Sequence, residues 1–183
     1  TRLNYNYQDK YYVEALIRRD GSSKFGPNNK YGNFPAASVG WIISEEDFMA
    51  NLPHVNYLKL KTSVGKNGNS AIPSYQWFGY YNVANNGYAG ETYRYPVIRE
   101  NANLRWETST TYDVGLEYGF FQDRISGELA WYRKETNDML LNVTLQGSTG
   151  FGSWWDNVGS VYNTGVEFAI KSRNTVRDNF TWT

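Results

Sequence analysis

What most constrains this chain is the two-residue alternation of 111–138, TYDVGLEYGFFQDRISGELAWYRKETND. Tyr112, Val114, Leu116, Tyr118 and Phe120 share one parity, and Asp113, Gly115, Glu117 and Gly119 the other. Successive side chains of an extended backbone point to opposite faces, so the stretch specifies a ribbon with one apolar and one wet side. It turns at Gln122-Asp123-Arg124, after which Ile125, Leu129 and Trp131 oppose Ser126, Glu128 and Lys134.

The same test along the chain gives about eight strands. Residues 1–7 and 11–20 form a hairpin turning at Gln8-Asp9-Lys10, with Tyr11, Val13, Ala15 and Ile17 apolar. Strands follow at 35–44 (Ala37, Val39, Trp41, Ile43), at 55–65 (Leu58, Leu60, Val64 against Lys59 and Lys61), in the two halves of 111–138, and at 157–172 (Val158, Tyr162, Val166, Phe168, Ile170). An eighth is expected from about 179. Ser44-Glu-Glu-Asp47 has the spacing of a helix N-cap followed by an acid, which predicts one short helix near 45–51. The joins alternate in length: those at 8–10, 45–54, 122–124 and 173–178 are short, and those at 21–34, 66–106 and 138–156 are long and rich in Gly, Asn and Tyr. In an up-and-down meander this puts the short joins at one rim and the long ones at the other, the asymmetry of outer-membrane barrels.

Two readings account for the apolar parity. In a soluble β-sandwich it packs on a second sheet, and in a membrane barrel it meets lipid while the polar parity lines the interior. Three features favour lipid. The alternating runs reach about 10 residues, near the 9–11 that a tilted strand needs to cross hydrocarbon. Aromatic residues (Tyr112, Tyr118, Phe120, Trp131, Tyr162) lie toward strand ends on the apolar parity, as an interfacial girdle requires. Asp113, Glu117, Glu128, Glu167, Lys59 and Lys61 all keep to the other parity, with Arg133 the exception at the long-join end. Glycines 115, 119, 159 and 165 share the wet parity, where they reduce crowding or let another backbone approach.

Composition bounds the function. Lys and Arg (18) balance Asp and Glu (18), which leaves no cationic surplus for nucleic acid. Cysteine is absent, so there is neither a disulfide framework nor a thiolate metal site. No apolar run approaches the 18 residues of a membrane helix, and residues 1–20 lack the order of a signal peptide. The chain opens and stops inside alternating patterns, and it is expected to be a piece of something longer.

The blocks RRDGSSKFG (18–26), FPAASVGWIISEEDFM (34–49), LKLKTSVGKNGN (58–69), NLRWETSTTYDVGLEYGFFQDRISGELAWYRKETNDMLL (103–141) and NVGSVYNTGVEF (157–168) resemble, in order and spacing, the barrel of SusC/RagA-type TonB-linked outer-membrane proteins. That resemblance covers most of the chain apart from 70–100. It implies that residues 1–183 are an all-β, antiparallel segment of a 22-stranded transmembrane barrel in a Gram-negative outer membrane. Long loops would face outward, the short helix would be periplasmic, and the family's plug, TonB-contact segment and signal peptide would lie outside this chain. It further implies import of glycans or peptides, with energy from the TonB complex and a SusD-like surface lipoprotein as partner. A soluble sandwich that binds carbohydrate, and a non-energised porin, remain as alternatives at this point.

No nucleophile elbow or phosphate-binding loop occurs. His54 stands alone in a turn, and Glu45-Glu46-Asp47 suit the first turn of a helix better than a cation site. Glu117 and Glu128 have the residue types of a glycosidase pair, but solvated wall charges are the default. No catalytic residue, metal or cofactor is expected. The remaining candidates are loop aromatics that can stack on substrate, anchor the loops or meet the lipoprotein: Tyr75, Trp77, Phe78, Tyr80 and Tyr81 in one loop, and Phe151, Trp154 and Trp155 in another.

Overall fold

The computed structural model describes residues 1–85, 87–177 and 180–182. In chain order the strands are β1 (Arg2–Tyr7), β2 (Tyr11–Gly21), β3 (Tyr31–Ile42), β4 (Val55–Asn69), β5 (Tyr80–Ala84), β6 (Tyr93–Ile98), β7 (Glu107–Phe120), β8 (Ile125–Asn137), β9 (Leu140–Thr144), β10 (Ser153–Asn157), β11 (Ser160–Ser172), β12 (Thr175–Arg177) and β13 (Phe180–Trp182). Seven of them make one antiparallel sheet in the order β1-β2-β3-β4-β7-β8-β11, a plain up-and-down meander. From β2 onward its members run 11–15 residues, as the sequence led one to expect. The expected eighth strand falls on β13, which pairs with β12 as a separate ribbon.

Register carries the alternation across the sheet as continuous rows. Tyr5, Val13, Val39, Thr62, Val114, Trp131 and Val166 are successive partners, and the next row is Tyr7, Tyr11, Trp41, Leu60, Leu116, Leu129 and Phe168. Opposite them run Asn4, Glu14, Ser38, Ser63, Asp113, Tyr132 and Gly165. A one-residue slip anywhere would carry charge onto the apolar face, so this pattern pins the register.

Among the described residues no second layer covers the apolar rows. Leu129 is 45%, Phe168 64% and Val166 67% exposed. The buried hydrophobic residues lie elsewhere: Phe25, Ile72, Leu104 and Leu140 form one cluster built from the long joins, backed by Trp77, Trp106 and Trp155, and Phe34, on the wet parity of β3, is buried against Trp106. A sandwich would bury the sheet's apolar face and leave its loops wet; this chain does the reverse.

The long joins are more ordered than their composition suggested. Residues 70–106 contain the β5–β6 hairpin and 138–159 the β9–β10 hairpin. The two loops are clasped by Asn101, buried, whose amide donates to the Trp155 carbonyl and to Asp156 (both 3.0 Å). Asn157 repeats the clasp, donating to the carbonyls of Arg105 and Asp138 (2.8 Å each). Such side-chain to backbone bonds replace a ladder where the chain is irregular. The result is a crown at the long-join rim.

At the short-join rim the helix expected near 45–51 is present only as two 3-10 turns, Ile43–Glu45 and Asp47–Met49. Ser44 makes no cap, and Glu46, extended at ψ 147°, splits the run. The Glu46 carboxylate accepts hydrogen bonds from Tyr11 Oη (2.5 Å) and Trp41 Nε1 (3.0 Å), with Lys10 Nζ 3.7 Å away. These contacts tie the turn to the girdle Tyr7–Tyr11–Trp41, whose neighbouring ring centroids lie 6.3 Å apart. The Tyr11 hydroxyl, and then the Trp41 indole, hold the Glu46 carboxyl below its ordinary range. A depressed folded-state value means stability that is present above the unfolded carboxylate pKa and lost as pH falls through the folded one. The difference in unfolding temperature between wild type and Glu46→Gln should therefore grow as pH rises through the carboxylate range and vanish well below it. A difference independent of pH would contradict this role.

Candidate functional site

Two places gather functional side chains: the wet face of the sheet and the crown. On the wet face Lys61 of β4 reaches across β7, with its Nζ 2.9 Å from Glu117 and 2.6 Å from Glu128. Glu117 and Glu128 are cross-strand partners, so one ammonium fastens three strands. Gly115 makes this reach possible, because a Cβ there would stand 2.6 Å from Lys61 Cε. Ser63 donates to Asp113 (3.2 Å), Arg2 pairs with Glu14 (2.7 Å), and Lys59 lies over the Tyr12 ring at 5.6 Å. These groups flank an open trough of about 680 Å³ on the concave side. Of the other inward glycines, Gly119 sits under Tyr57 and Asp123, and Gly165 under the Tyr132 ring. Gly159 is a loop residue at φ +79° and belongs to no strand.

Gly115→Val should push Lys61 aside and break its contact to Glu128. Because these groups are partly exposed, the loss should stay near 1 kcal/mol, read as lower thermal stability that the added variant Lys61→Met does not reduce further. Additive losses would show that Gly115 acts through something else.

The loop aromatics divide. Trp77 and Trp155 pack against the crown core, and the Trp77 ring meets Phe78 edge-on at 5.6 Å. Tyr75 (70% exposed), Phe78, Tyr80 and Tyr81 (66%) face outward from the β5–β6 side. Trp154 is half-buried beneath Arg99, whose guanidinium stands 4.2 Å from the indole centroid, and Phe151 is half-buried in the other loop. Sequence reasoning missed Asn101 and Asn157, which join these loops; nothing in a single Asn signals a clasp. Arg105 adds a 2.7 Å ion pair to Asp138 and holds that carboxyl below its usual range. His54 is exposed, with its ring tilted on Phe121 at 5.3 Å. The second carboxylate of the Glu45-Glu46-Asp47 run is already taken up by the girdle.

A curved antiparallel meander with an uncovered apolar outer face, an ion-paired inner face, aromatic girdles and unequal rims is a segment of a transmembrane β-barrel wall. The model of the family described as TonB dependent receptor-like, beta-barrel matches residues 1–183, and the chain belongs to that family. It is 45% identical to a TonB-dependent receptor of Formosa agariphila, covering 99% of this chain and 18% of that protein. To the TonB-dependent receptor SusC of Bacteroides thetaiotaomicron it is 37% identical, over 99% of this chain and 19% of SusC. Among solved structures, the RagAB peptide importer in its closed-closed state superposes with a TM-score of 0.87 at 31% identity, over 98% of this chain and 20% of that one. The chain thus spans about a fifth of the relatives it matches. Together with the bare apolar rows, these likenesses favour the barrel over a soluble sandwich.

Proposed function

We propose that this chain is part of the wall of a SusC/RagA-type importer in the outer membrane of a Gram-negative bacterium. Such an importer would take up glycans or peptides with energy from the TonB complex, engaged through segments outside these residues, and with a SusD-like surface lipoprotein as partner. The observation that carries the reading is the likeness to the RagAB peptide importer over nearly the whole chain. The relatives are TonB-dependent receptors and a peptide importer, which supports transport rather than catalysis.

Within that function the crown is the substrate- or partner-facing part. Tyr75, Phe78, Tyr80 and Tyr81 offer flat, exposed rings with polar tips, suited to stacking on a sugar or covering a peptide, and Trp154 with Arg99 offers a cationic aromatic plane. Trp77 and Trp155 contribute by holding the loops. In a strain that depends on the full-length receptor for growth on its nutrient, the joint alanine variant of Tyr75, Phe78, Tyr80 and Tyr81 should reduce uptake at least tenfold while the barrel still assembles, since losing about 1.4 kcal/mol of contact is tenfold. Normal uptake would remove these residues as contacts. Normal growth without the TonB complex would favour a passive porin instead.

A further inference from the structure

Arg19 and Tyr31 stand on the apolar parity at the long-join end of the β2–β3 hairpin, where Arg19 pairs with Asn33 and Tyr31 with Gly21. The Arg19 guanidinium lies 4.8 Å from the Tyr31 ring centroid, and the Lys30 ammonium lies 5.9 Å from the same centroid. Two cations therefore share one ring that is 57% exposed. Among the described residues neither has a carboxylate within ion-pair distance, although Arg18 on the opposite parity is paired with Asp20 at 2.8 Å. Lys66 follows Val64 on the same parity of β4, one strand over. Like charges gathered on an exposed ring repel one another, and an anion seated between them relieves that repulsion.

The position says which anion. Directly below on the same face of this hairpin lie Ile17, Ala15 and Val13 of β2 with Pro35, Ala37 and Val39 beside them on β3, and these two strands carry no further charge on that face down to Tyr11 and Trp41 at the opposite rim. The cations thus begin where the hydrocarbon ends, at headgroup level, on the lipid side of the wall. Arg presents a planar fork that matches phosphate oxygens, and Lys supplies a point charge. We infer that Arg19, Lys30 and Tyr31 form a docking site for the phosphorylated headgroup of an outer-leaflet lipid. This inference rests on the outer-membrane reading above.

The test uses the full-length receptor, purified from outer membranes and delipidated. Binding is followed by native mass spectrometry with two probes, lipid A carrying its phosphates and the same lipid A after phosphatase treatment. A basic residue near an anionic surface strengthens attachment about fivefold, so Arg19→Gln and Lys30→Gln should each weaken retention of the phosphorylated probe by about that factor, and the double variant by more. The dephosphorylated probe should bind wild type and variants equally weakly, and excess inorganic phosphate should not displace the lipid. Equal retention by wild type and the double variant would overturn the site. So would equal binding of the two probes, or complete displacement by inorganic phosphate. Each protein is first checked for a folded, heat-modifiable barrel. If wild type itself fails to reach the outer membrane the barrel reading falls, whereas a normal barrel with unchanged lipid retention sinks this inference alone.

Discussion

Arginine at Leu116 or at Phe168 should keep a full-length receptor carrying this segment from assembling in the outer membrane. Both residues lie in the row that runs from the girdle residue Trp41 through Leu60, Leu116 and Leu129 to Phe168, and along its own strand Leu116 stands between Tyr112 and Tyr118 on the apolar parity. A basic side chain facing lipid costs up to about 2–4 kcal/mol near the midplane. Asn163 is the proper control. It stands on the inward parity opposite Lys134, where an arginine meets water and other polar groups. Gly119 is a poorer control than its parity suggests, because a Cβ there would stand 2.5 Å from Asp123 Oδ1. Surface yield and heat-modifiable mobility should fall sharply for Leu116→Arg and Phe168→Arg and little for Asn163→Arg. Equal losses at all three would contradict the assignment of faces.

The second large effect is expected in the crown. Leu104 is fully buried against Phe25, Ile72 and Leu140, and truncating such a leucine to alanine costs about 2–5 kcal/mol. The four core residues come from the long joins and meet the main sheet through Trp106 and Phe34 of β3, so the loss should appear mainly as local opening. Protease should cleave within 70–106 in Leu104→Ala while the barrel stays resistant, and Tyr88→Ala, at a residue 98% exposed, should behave as wild type. Cleavage of both variants alike would mean that the crown has no common core.

The sheet was legible because period-two alternation in long strands encodes face, register and length together. Parity alone put Leu116 and Phe168 on one side and Glu117 and Glu167 on the other, and the alternating joins located the rims. The crown was less legible. The strands of the β5–β6 and β9–β10 hairpins are only five or six residues long and their faces are mixed, so Tyr80–Ala84 reads as loop. The core residues Phe25, Ile72, Leu104 and Leu140 come from three separate joins and share no period. The Ser44 helix signal failed for a tertiary reason, since Tyr11 and Trp41 engage Glu46 and hold its backbone extended. Of the aromatic candidates, composition could not tell the anchors Trp77 and Trp155 from the exposed Tyr75 and Tyr81; burial does.

The most direct test of the account is a spin-label accessibility scan. The segment has no cysteine, so single cysteines can be placed in it at Val114, Leu129 and Val166, and at Asp113, Glu128 and Glu167. In the full-length receptor in bilayers, the first three labels should be relaxed by oxygen dissolved in lipid and shielded from a polar nickel reagent, and the second three should show the reverse. Nickel access to both sets, or to neither, would mean that something other than hydrocarbon covers the apolar rows.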